Sequence, residues 1–65
     1  MDRKINLTDI DFDKKTIVNV NFAGSYAEIM FDDKTEVNIE WNEVIGFTYE
    51  YLDRDNNWYD IETTK

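Results

Sequence analysis

Fifteen carboxylates, one serine, no histidine and no cysteine set the chemistry open to this chain. The usual general base and the thiolate nucleophile are both missing. Ser25 has no evident base to activate it. Paired carboxylates can hydrolyse glycosides, but that chemistry needs a cleft, and 65 residues leave little chain to wall one. The chain therefore does not read as an enzyme.

Asp53-Arg54-Asp55-Asn56-Asn57 matches the opening of an EF-hand calcium loop. The next position requires Gly and holds Trp58, and the twelfth requires Glu and holds Thr64. A polar hairpin turn explains the cluster better. Asp9, Asp11 and Asp13 are spaced too evenly to wrap one ion. No metal and no cofactor are expected.

The acids carry more meaning as rows. Carboxylates two apart on a strand are spaced by roughly 6.6–6.8 Å. Asp9/Asp11/Asp13, Glu36/Glu40 and Asp60/Glu62 form such rows, opposite the apolar positions of their segments. Regular negative charge is what a nucleic-acid-binding groove receives. The plainer reading is solvation, since alternating strands must show something polar to water. Trp58 is expected to point with the acids, as are Ile17, Met30 and Leu52. A Trp rimmed by carboxylates has the makings of a binding hot spot. The residues expected to meet a partner are Glu36, Glu40, Trp58, Asp60, Glu62, Asp9, Asp11 and Met30.

Net charge is −8, and it is uneven. Residues 1–35 hold seven acids and five bases, a net of −2; residues 36–65 hold eight acids and two bases, a net of −6. Such a field repels nucleic acid and anionic membrane and attracts basic surfaces. Lys14, Lys15, Lys34 and Arg54 fall at separate turns, with acids beside them. Direct binding of nucleic acid is therefore not expected. No apolar run reaches the ~18 residues of a membrane span, and Met1-Asp2-Arg3-Lys4 leads into no signal-peptide core. A cytoplasmic setting, in a cell or an infected host, is the expectation.

An internal repeat supplies the frame for these side chains. Phe12-Asp13-Lys14-Lys15-Thr16-Ile17-Val18-Asn19 lies over Phe31-Asp32-Asp33-Lys34-Thr35-Glu36-Val37-Asn38, nineteen residues on. Across Leu7–Phe22 and Tyr26–Trp41, seven of sixteen aligned positions are identical. Each copy reads as strand, charged turn, strand. Val18, Val20 and Phe22 alternate with polar residues, as do Ala27, Ile29 and Phe31, then Val37, Ile39 and Trp41. Because opposed residues share a face, each hairpin loop must have an odd length, or a bulge must make up the difference, with centres at Lys15 and Lys34. The phase slips near Thr8-Asp9, which predicts a bulge or bend there. Asn42 can cap a short turn. Phe47-Tyr49-Tyr51 and Trp58–Glu62 form a third, degenerate hairpin. Residues 1–4 and Thr63-Thr64-Lys65 read as polar ends.

These patterns predict a single all-β domain over residues 1–65: a six-stranded antiparallel meander of three hairpins, curled into a small barrel or a strongly bent sheet. Val18, Val20, Phe22, Val37, Ile39 and Trp41 are its expected core. The expected function is a non-enzymatic protein-binding module. Its most concrete form is a small acidic inhibitor, of the virus-encoded kind, that docks on a basic protein surface and imitates nucleic acid. The alternative is a structural, self-assembling module, a homo-oligomer joined through its apolar outer residues.

Overall fold

A computed structural model describes residues 3–62. Six strands form one open sheet: β1 (Lys4–Asn6), β2 (Ile17–Ala23), β3 (Tyr26–Phe31), β4 (Glu36–Asn42), β5 (Gly46–Leu52) and β6 (Trp58–Glu62). Their order is β1-β6-β5-β4-β3-β2. Strands β2 to β6 are an antiparallel meander, whereas β1 pairs parallel with β6. No helix is long and apolar enough to cross a membrane among the described residues. The polar ends expected at Met1-Asp2 and residues 63–65 lie outside that range.

Each turn has a residue-level cause. Gly24, at φ 61, opens the two-residue β2–β3 loop, where a type II′ turn calls for glycine. Asn42 Oδ1 accepts the backbone N–H groups of Val44 (2.8 Å) and Ile45 (3.3 Å), closing the short β4–β5 turn. Asp53 does the same for β5–β6. Its carboxylate accepts from the N–H groups of Asp55 and Asn57, both at 2.9 Å, and from the Tyr59 hydroxyl at 3.2 Å. The Asp53–Asn57 cluster is thus a hairpin turn that consumes its own acceptors.

The two repeat copies fold differently, which corrects the three-hairpin expectation. Copy two is the β3–β4 hairpin, with pairs Ile29↔Val37 and Ala27↔Ile39. Its three-residue loop is centred at Asp33, one residue before the predicted tip at Lys34. In copy one, residues 7–16 do not fold back on β2. The 3₁₀ turns Leu7–Asp9 and Phe12–Lys14 carry the chain across the sheet, from β1 on one edge to β2 on the other. Both copies keep the same tight turn: Lys15 N–H donates to Phe12 O at 3.1 Å, and Lys34 N–H to Phe31 O at 3.2 Å. They diverge at the next step. Lys34 adopts φ 70 and reverses the chain, while Lys15 stays extended at φ −112. Asp33 accounts for the difference. Its carboxylate accepts the Thr35 N–H at 3.1 Å and the Thr35 hydroxyl, holding the reversed chain. Copy one has Lys14 there, which has no acceptor.

The crossover lies over the apolar face. Ile10 packs with Phe31, Val37, Tyr51 and Ile61 in the core, and the rings of Phe12 and Phe31 meet at 5.9 Å. Lys15, predicted at an exposed hairpin tip, is half-buried instead, with its side chain 8% exposed. Its ammonium pairs with Asp33, donates to Thr35 Oγ1 at 2.9 Å and sits 5.6 Å from the ring centres of Phe31 and Tyr51. This clamp ties the crossover to the β3–β4 turn.

Among the described residues the sheet does not close, which corrects the barrel form of the expectation, and β1 and β2 are its edge strands. Only one end of the apolar face is covered. Val37 is buried and Ile39 is half-buried against the core. Val18, Val20, Phe22 (79% exposed) and Trp41 (47%) are exposed, contrary to expectation. β2 is paired on one side only, and its register shifts between Ile17 and Asn19. Ile17 stands opposite Phe31, a residue of the apolar face, so it does not point outward with the acids as predicted.

Candidate functional site

Strand alternation and register assemble the site. Opposed residues share a face, so the ladders define rows across the sheet. One row runs Asn21–Glu28–Asn38–Glu50–Asp60–Lys4. The next runs Asn19–Met30–Glu36–Leu52–Trp58. A third contains Tyr26, Glu40 and Thr48, and Glu62 follows Asp60 along β6 with Asn6 opposite it. This face carries six carboxylates: Glu28, Glu36, Glu40, Glu50, Asp60 and Glu62. Lys4, at the far edge and 3.7 Å from Glu62, is its one strand cation. The other face of these strands carries no charged residue.

The carboxylates lie close enough to feel one another. Burial pushes the Glu36 carboxyl up, and the neighbouring Glu28 adds to it by charge repulsion and by accepting a hydrogen bond from the protonated form. Tyr26 is pushed up to about 12, by burial first, then by its 3.2 Å hydrogen bond to Glu28 and the charges of Glu28, Glu36 and Glu50. Asn38, between Glu28 and Glu50, is buried, and its Oδ1 has no hydrogen-bond partner among the described residues. The face is rich in acceptors and short of donors.

Six of the eight residues expected to meet a partner stand on this face: Met30, Glu36, Glu40, Trp58, Asp60 and Glu62. Met30, Leu52 and Trp58 are half-buried in the row that holds Glu36. Asp9 and Asp11 do not join them, because they are not on a strand. Both lie in the crossover, on the opposite side of the sheet. Asp9 Oδ2 accepts the Asn6 N–H at 3.3 Å, and Asp11 sits 3.6 Å from the Lys14 ammonium. Asp13 is within the second 3₁₀ turn, so the Asp9/Asp11/Asp13 row does not exist.

Glu28 and Glu50, in the middle of the face, were not among the expected partner residues. Alternation alone put them on the polar side of their strands. Only the register, Glu28↔Asn38↔Glu50↔Asp60, shows that they lie between the rows already recognised.

Among the described residues, no group of three or more acidic side chains is placed to hold a metal ion. A shallow depression of about 300 Å³ is lined by Phe47, Thr48, Tyr49, Asp60 and Ile61. It presents one carboxylate where glycoside hydrolysis uses two. Searches against protein-family models, curated proteins and solved structures find no match for this chain.

Proposed function

We propose that this chain is a non-enzymatic protein-binding module that docks its acidic sheet face on a basic protein surface. The observation that carries the reading is the sorting of charge: six carboxylates on one strand face and none on the other. Solvation alone needs polar residues, and Asn, Thr or Lys would serve; it does not need a face of nearly one sign. Concentrating like charge opposes folding, and the charge of Glu28 adds to burial in raising the Glu36 carboxyl. A partner rich in Arg and Lys would relieve that repulsion and supply the donors this face lacks. A surface built to receive nucleic acid has that chemistry. Docked on one, the chain competes with nucleic acid and acts as an inhibitor. The cytoplasm, where such partners are found, is the setting this reading implies.

Paired substitutions test it. Glu36→Gln with Glu40→Gln keeps shape and strand pairing but removes two charges from the face. Glu43→Gln with Asp55→Asn removes the same charge from exposed turns. Asp33 cannot serve as a control, since it holds Lys15. In pull-down and titration against a basic nucleic-acid-binding partner, the face pair is expected to lose at least tenfold more affinity than the turn pair. Free DNA or RNA is expected to compete. Equal losses without competition would reduce the acidity to solvation.

A further inference from the structure

We propose that the bare end of the apolar sheet face is a dimer interface, on which a second copy of this chain stacks about a two-fold axis. A sheet with one apolar face must bury it against a second layer. Here the crossover supplies that layer over one end only, around Ile10 and Phe31. Beyond it, Val20 and Phe22 stay exposed on the edge strand β2 and Trp41 and Phe47 on β4 and β5, with β3 between the two pairs, and Val44 and Ile45 extend the surface at the β4–β5 turn.

These six residues are 38–85% exposed. Together they present on the order of 700 Å², given that aromatic side chains carry roughly 150–250 Å² each. That exceeds the ~300–600 Å² of the largest patch on a typical monomer and approaches the ~800 Å² per partner of a standard interface. The six side chains are uncharged, so in a two-fold contact, where one patch meets itself, they bring no like charges together. Trp41 and Phe47 already meet edge to face, with ring centres 4.8 Å apart, so part of the surface is preorganised.

Charge argues for a second copy, and against a basic partner, at this face. All six strand carboxylates lie on the far side of the sheet. Stacked sheets sit ~10 Å apart, and each acidic face points away from the other. Their separation exceeds the ~8 Å Debye length of physiological salt, so a charge of −8 per copy does not prevent stacking. The dimer leaves both acidic faces free. It therefore stands or falls independently of the docking function proposed above.

Sedimentation equilibrium of the whole chain tests the proposal. The wild type is expected to pass from one copy, 7.8 kDa, to two copies between micromolar and millimolar concentration. Phe22→Lys puts a charge into the patch at a side chain too exposed to support the monomer. It is expected to weaken self-association at least tenfold with an unchanged far-UV circular dichroism spectrum. Val20→Lys, on the same strand face, is expected to do the same, and Glu36→Gln with Glu40→Gln to leave the dimer intact. Hydrogen exchange separates stacking from edge pairing: in the stacked dimer, β2 amides that face away from β3 stay unprotected. A chain that remains one copy throughout, a dimer that tolerates both lysine variants, or protection of those amides would each overturn the proposal.

Discussion

Lys15 and Lys34 are the same residue of the repeat in different roles, and a single carboxylate separates them. Burial alone would raise the Asp33 carboxyl. Hydrogen bonds from the Lys15 ammonium and from the Thr35 hydroxyl and N–H outweigh it and hold the group at about 2. A depressed folded-state value means that this stabilisation is present above the ordinary 3.8 and is lost as pH falls towards about 2. Glu36 has the opposite sign. Its raised carboxyl costs stability once pH rises through the folded-state value, because burial and Glu28 disfavour its charge. Urea unfolding across pH checks both. Asp33→Asn should cost about 3 kcal/mol at pH 7, because it leaves a buried ammonium without its counter-charge. That gap to the wild type should close as pH approaches 2. Glu36→Gln should raise the neutral-pH midpoint while weakening partner binding, a combination that general destabilisation does not produce.

Strands with matching sequences occupy unlike places in the sheet. Val18 and Val37 are equivalent in the repeat, yet Val37 is buried at 7% exposure and Val18 is exposed at 60%. β4 lies inside the sheet with a strand on each side and the core against its apolar face. β2 is an edge next to a register shift. Val37→Ala should therefore cost about 2 kcal/mol, through lost burial and a residual cavity, whereas Val18→Ala should stay within about 0.5 kcal/mol. Thermal or urea unfolding of the two variants measures the difference directly. Equal costs would mean that the first copy packs as the second does.

The whole molecule is a two-sided sheet, acidic on one side and apolar on the other. Its proposed contacts should respond to salt in opposite ways. Binding through the carboxylate face should weaken steeply as ionic strength rises, because exposed charges are screened beyond ~8 Å in physiological salt. Stacking of the uncharged face should hold or strengthen, because it rests on apolar burial and salt screens the residual repulsion between copies. Titration calorimetry and sedimentation over a salt series separate the two.

The sides of the strands were legible in the sequence, because alternation is a local property of extended chain. The apolar alternating positions of β3 to β6, with Val20 and Phe22, do share one face, and Glu36, Glu40, Met30, Trp58, Asp60 and Glu62 share the other. Polar turns at Asn42 and Asp53 were legible for the same reason: their acceptors lie within four residues of the donors they serve. Where the first copy goes was not. A repeat with seven identities in sixteen predicts two like hairpins, yet the outcome turns on Lys14 standing where the second copy has Asp33. It turns equally on Lys15 finding Asp33 across the fold. Register between strands joined Glu28 and Glu50 to the acidic face, and the path of the crossover chose which apolar residues are covered. Both arise from contacts between segments far apart in the chain. Alternation sets the side a residue faces; only the assembled sheet sets what stands opposite it.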